Sequence, residues 1–140
     1  MKKIFVSIIL TLVIGCQSNK TKGSLEKITS ERVYNLDENG NKKDLILIIE
    51  GNKMYTSNKE GKKIELLLEK FDNKVYEIQH KVVNNVDRTE KGRILFIFEK
   101  GKYWEYDKKT KQKGKLTFVR KENIIYQNRN NKLEKILIVD

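Results

Sequence analysis

The sequence predicts an all-β domain, an antiparallel meander of about 8–10 strands forming a barrel or a curled sandwich. Three observations predict it. From Ile28 onward, short apolar or alternating runs are separated by Gly, Asn, Asp and Lys clusters, at intervals of roughly ten to twelve residues that suit an all-β domain. β-Branched and aromatic residues dominate these runs. The chain contains no proline, so no strand is demoted to an edge and no turn depends on a preset φ.

The first strand is expected over 28–36, ending at the acidic turn Asp37-Glu38-Asn39-Gly40-Asn41. That turn lacks the spaced ligands and the distal glutamate of a calcium loop. The second strand, 44–50, is apolar on both faces from Leu45 to Ile49 and stops at Gly51-Asn52. The third, 53–57, stops at Lys59-Glu60-Gly61-Lys62. Strands at 63–69 and 75–83 follow, separated by Asp72-Asn73-Lys74. Ile64, Leu67, Leu68, Phe71, Val75, Ile78 and Val82 also fit a helical stripe, which makes an α+β fold the alternative. The break at 72–74 and the flanking turn signals favour two strands, with Tyr76, Ile78, His80 and Val82 on one face.

Glu90-Lys91-Gly92 reads as the next turn, before a strand at 93–99 that is apolar on both faces from Ile94 to Phe98. Gly101-Lys102 leads into 102–106, and the segment Thr110 to Gly114 leads into 116–120, where Leu116 and Phe118 share a face. Strands at 123–127 and 132–139 complete the set, with Arg129-Asn130-Asn131 between them. Asn and Gly recur in these turns because tight hairpins need positive φ. Strands apolar on both faces require a second covering layer. The turn spacing is regular, but no repeated sequence marks a propeller or a solenoid.

The N-terminus is organised differently. Met1-Lys2-Lys3 precedes an apolar run over 4–15, and Gly15 stands before Cys16, the only cysteine in the chain. A charged start, an apolar middle and a small residue before a cysteine form a recognisable export pattern. It resembles the signal peptide of bacterial lipoproteins, with Val13-Ile14-Gly15-Cys16 as the lipobox. The resemblance covers residues 1–16 and the polar stretch after them. It implies a diacylglycerol on the Cys16 thiol, removal of residues 1–15 and acylation of the new amine. Several acyl chains on one residue anchor stably, since each buried methylene contributes ~0.8 kcal/mol. The apolar run is shorter than the ~20 residues of a membrane helix. Gln17 follows the cysteine instead of an aspartate, which is compatible with outer-membrane sorting. The expected organisation is a signal peptide over 1–15, a lipidated cysteine and polar tether over 16–27, and one β domain over 28–140. One cysteine allows no intramolecular disulfide.

The chain carries a formal net charge of +11, or +9 without Lys2 and Lys3. Residues 16–99 hold a net +2 and residues 100–140 a net +7. The peak is Lys108-Lys109-Thr110-Lys111-Gln112-Lys113-Gly114-Lys115, read as a hairpin tip. Tyr103, Trp104 and Tyr106 precede it and Phe118 follows it. Clustered like charges attract polyanions, and aromatics beside them stack on sugars. The plainer alternative is a solvated basic loop with Trp104 in the core.

Catalytic and metal chemistry has little to build on. His80 is the single histidine and alternates with Ile78 and Val82, as a strand residue would. Lipidation of Cys16 removes any His/Cys metal set. A nucleophile elbow, a phosphate loop and a dinucleotide glycine pattern are all absent. Glu65, Glu69 and Glu77 lie in strands rich in lysine, where cross-strand ion pairs account for them.

The expected function is therefore a non-catalytic, envelope-anchored binding domain that needs no cofactor. Its partners would be the membrane, through Cys16, and an anionic glycan or envelope protein, through Lys108, Lys109, Lys111, Lys113, Lys115 and Trp104. Nucleic acid is not expected in an envelope compartment. The alternatives are a carrier with an apolar lumen lined by Phe96, Phe98, Trp104 and Phe118, and an inhibitor of an envelope-attacking hydrolase.

Overall fold

The computed structural model describes residues 29–140. The expected signal peptide, Cys16 and the expected tether lie outside the described residues. Ten antiparallel strands follow in chain order: β1 Ser30–Leu36, β2 Lys42–Glu50, β3 Lys53–Ser57, β4 Lys63–Phe71, β5 Lys74–Val83, β6 Val86–Glu99, β7 Lys102–Asp107, β8 Gln112–Lys121, β9 Ile124–Arg129 and β10 Lys132–Val139. Each strand pairs with its chain neighbours, and β1 pairs with β10 to close the ring. The region open to a helical reading, 63–83, is two strands, because Asp72 takes a φ of 53° and turns the chain.

Registering the strands reveals a repeat that the linear sequence hides. The ring consists of five hairpins, β1–β2, β3–β4, β5–β6, β7–β8 and β9–β10. In each, an inward apolar residue on the first strand faces one on the second: Val33 and Leu47, Met54 and Leu68, Val75 and Phe96, Tyr103 and Phe118, Ile125 and Leu137. The next residue on the first strand is always aromatic: Tyr34, Tyr55, Tyr76, Trp104 and Tyr126. Directly after the inward pair, the second strand carries one extra residue, at Ile46, Leu67, Leu95, Thr117 and Ile136. Such a bulge bends the strand and adds twist, and five at one level curl the sheet until it closes. The bulge at Thr117 also corrects the expected face of β8. Leu116 sits opposite the outward Trp104, while Phe118 points inward opposite Tyr103.

The ten paired residues form two stacked rings that fill the barrel. Val33, Met54, Val75, Tyr103 and Ile125 are each 0% exposed. Burial of such side chains contributes about 1.5–3 kcal/mol apiece. Outside, each aromatic pairs across to the preceding hairpin, at Ile138, Ile48, Glu69, Ile97 and Val119 in turn. The β10–β1 closure thus uses the same register as the four internal junctions. Lysine ammoniums stand over the rings of Tyr34, Tyr55, Tyr76, Trp104 and Tyr126, at 4.4–5.7 Å. Their stems cover the outer apolar layer while the charges stay in water. Three of these lysines also pair with acids beside them: Lys42 with Asp140, Lys63 with Glu50 and Lys113 with Glu99. Hydrogen bonds to Asp140 and Glu50 hold the Lys42 and Lys63 ammoniums above their usual range.

The barrel has two unlike ends. At one, tight turns at 51–52, 72–73, 100–101 and 122–123 join the hairpins, and the strands are buried there. Arg120 closes this end by donating two hydrogen bonds to Glu31, at 2.7 and 3.1 Å. The chain enters β1 at this tight end, where Ser30 pairs with Glu50. At the other end the strands flare and expose both faces. There, Asp37, Asn58 and Asp107 stop hairpins one, two and four, each side chain accepting backbone N–H groups of its own loop. The third hairpin has Gln79 at that position and runs on to a two-residue turn at Asn84-Asn85, with φ of 52° and 60°. This corrects the turn expected at Glu90-Lys91-Gly92, which lies within β6. The glycine there is a strand residue packed against the Gln79 side chain.

Gly101 tests the tight end. Its φ is +75°, and an added Cβ would stand 2.8 Å from the Arg120 carbonyl oxygen. The Gly101 carbonyl accepts the Arg120 N–H at 2.7 Å. Gly101→Val should destabilise the fold by about 2–4 kcal/mol, read as a lower midpoint in chemical denaturation. An unchanged midpoint would mean that the turn relaxes freely.

Candidate functional site

The inward positions above the apolar rings turn polar at one level. By strand alternation they are Asn35, Thr56, Glu77, Glu105 and Gln127 on the odd strands. Residues on the even strands answer them. Asp44 accepts a hydrogen bond from Asn35, the Glu65 N–H donates to Thr56 Oγ1 at 3.1 Å, and Arg93 Nε donates to Glu77 at 2.9 Å. Within β5–β9 these positions line a cleft of about 540 Å³ at the wide end. Its floor is Phe96 and Phe118, packed edge to face with centroids 5.9 Å apart. Its walls include Glu77, Arg93, Glu105, Lys115, Gln127 and Arg129. Arg129 is held by Gln127 at 3.0 Å and Glu134 at 3.2 Å.

The five lysines expected on one hairpin tip are divided among three places. The β7–β8 loop ends at Lys111, with a φ of 56°, and β8 resumes at Gln112. Lys108, Lys109 and Lys111 therefore occupy the exposed turn at the lip of the cleft. Lys113 faces outward, paired with Glu99 and placed 5.7 Å from the Trp104 ring. Lys115 lines the cleft. Trp104 lies half-buried on the outer face, and the core position belongs to its neighbour Tyr103. Of the four residues proposed to line a lumen, Phe96 and Phe118 meet in the core, Phe98 packs on Tyr103 at 4.9 Å, and Trp104 is outside.

His80 Nε2 donates to the Leu66 carbonyl at 2.7 Å and lies 3.3 Å from Glu65. It links β5 to β4 beyond the last backbone pair between those strands. Glu69 accepts from Asn52 at 3.3 Å. Among the described residues, no three His, Cys, Asp or Glu side chains converge as metal ligands. No known family, curated protein or solved structure matches the chain.

Strand reading alone missed Glu77, Arg93, Glu105, Gln127 and Arg129 as neighbours. The signal exists in the sequence as a polar residue two places after each inward apolar residue of an odd strand. It becomes legible only when the five hairpins are aligned.

The lysine turn owes its shape to Asp107. Its carboxylate accepts N–H groups from Lys109 at 2.8 Å and Thr110 at 3.3 Å, which hold it below the usual carboxylate value of 3.8. A depressed folded-state value means this contribution is complete above pH 3.8 and lost as pH falls through the folded value. Protection of the Lys109 and Thr110 amides, measured against their intrinsic exchange rates, should therefore persist at neutral pH and fall only in that acid range. Asp107→Ala should remove that protection at every pH, and unchanged protection on substitution would mean that the carboxylate does not shape the turn.

Proposed function

We propose that the chain is a non-catalytic binding module, anchored in the bacterial cell envelope by lipid on Cys16, that presents its wide end to an anionic glycan. The observation that carries the reading is the barrel's polarity. The chain enters at the tight end, and the turn with Lys108, Lys109 and Lys111 stands at the opposite end, beside a cleft whose walls carry Arg93, Lys115 and Arg129 together with Glu77 and Glu105. Among the described residues none of the three turn lysines forms an ion pair, so their charge is free to meet a ligand. Basic groups at the mouth of a concave surface concentrate field and polyanions there. The polar side chains of Glu105, Gln127 and Asn128 along that cleft also suit the hydroxyls of a sugar. Outer-membrane residence fits the absence of an aspartate after Cys16.

Two measurements test the two halves. Reversing Lys108, Lys109 and Lys111 to glutamate should weaken retention on heparin by at least about ten-fold at physiological salt. The melting temperature should not fall, because the turn buries nothing. Retention unchanged by the reversal would sink the glycan reading. Separately, Cys16→Ser should abolish incorporation of labelled palmitate and release the chain from the membrane fraction. Persistent labelling would place the lipid elsewhere.

A further inference from the structure

The third hairpin departs from the other four. Successive outward aromatics are spaced 21, 21, 28 and 22 residues apart, and the surplus lies between Tyr76 and Trp104. It forms an arm in which every residue from Gln79 to Lys91 is exposed. Three of the exposed large apolar residues, Val82 (69%), Val83 (40%) and Val86 (54%), cluster at its tip. The arm adds nothing to the core, and a two-stranded ribbon alone is marginal in water.

One edge of this arm is an open template. β6 pairs with β7 only from Phe96 to Glu99, so the stretch from Val86 to Leu95 has a ladder partner on one side alone, β5. Hydrogen bonding on the arm follows from its turn. A two-residue turn closes on a hydrogen-bonded pair, here Val83 and Val86. Alternation then directs the N–H and C=O groups of Arg88 and Glu90 to β5, and those of Asp87, Thr89 and Lys91 to the free edge.

We infer that a second copy of this chain pairs with that edge, antiparallel, about a two-fold axis at Thr89. The charge order selects the occupant. Residues 87–91 read Asp, Arg, Thr, Glu, Lys, an order that is complementary to itself when reversed. With Thr89 opposite Thr89 of the second copy, Asp87 meets Lys91 and Arg88 meets Glu90, each pair twice by symmetry. The same register joins hydrogen-bonding groups to hydrogen-bonding groups, because Asp87, Thr89 and Lys91 are the residues whose backbone faces outward. Shifting the second copy by two residues along the edge brings Glu90 opposite Glu90, or Arg88 opposite Arg88, and loses the match. An isologous contact of this kind makes a closed dimer and removes the free edge that would otherwise recruit foreign strands. Two arms then form one four-stranded sheet between two barrels.

The test uses the full-length chain in intact cells. Thr89→Cys places thiols on the axis, where a hydrogen-bonded antiparallel pair sets the Cα atoms about 5.5 Å apart, within disulfide reach. Mild oxidation should give a reducible band of twice the chain mass, about ten-fold above wild type and above Val82→Cys, whose thiols lie several strand spacings apart. Arg88→Glu creates two like-charge contacts and should reduce the crosslink of Thr89→Cys by about ten-fold. Adding Glu90→Arg should restore it. Three results overturn the inference: no crosslink above wild type, an equal crosslink from Val82→Cys, or failure of the charge swap to rescue. A Thr89→Cys adduct with a protein of another mass, in place of the doubled band, also overturns it, because the edge would then serve a foreign strand.

Discussion

Closure of the ring depends on one local constraint applied five times. An inward apolar pair is followed at once by a bulge on the second strand of the hairpin. The pair fixes which face is core, and the bulge bends the strand just past that point. Small inward residues on one hairpin are matched by large ones elsewhere, with Val33 and Val75 at the same level as Met54 and Tyr103. The core can therefore fill with unequal side chains while the backbone keeps one geometry. Because β1 and β10 meet in the register used at every internal junction, closure needs no special device.

The same constraint divides the barrel into a stable end and a displayed end. Below the bulges the strands converge on tight turns, two apolar rings and the Arg120–Glu31 bridge. The Arg120 side chain is buried and Glu31 partly so, and their two hydrogen bonds tie β8 to β1 across this end. Above the bulges the strands diverge and their inward positions become wet. That division permits a polar cleft over a filled core, and it leaves the wide-end loops free to vary in length. Where Asp37, Asn58 or Asp107 caps the loop, the hairpin stops. Where Gln79 stands instead, the strands continue outward as the arm.

The outer surface of this barrel resolves an apparent excess of apolar residues. Ile48, Ile97 and Val119 face outward yet are nearly buried. Among the described residues, no helix or second sheet covers them. Aromatic rings from the neighbouring strand and lysine stems from the flared end do so, with the ammoniums paired to acids or seated over the rings. The high lysine content is thus partly structural.

Strand content, the meander and most turns were legible in the sequence because alternation and Asn/Gly turn chemistry are local properties. So was the uneven charge. What the sequence could not decide alone was register. A bulge moves every later side chain to the opposite face, so Leu116 and Phe118 part company and five neighbouring lysines scatter over a turn, an outer wall and a cleft. Asn84-Asn85 and Glu90-Lys91-Gly92 carry similar turn chemistry, and only cross-strand pairing selects the first. Which residues meet across a closed ring depends on contacts between strands far apart in the chain, and those contacts exist only in the tertiary structure.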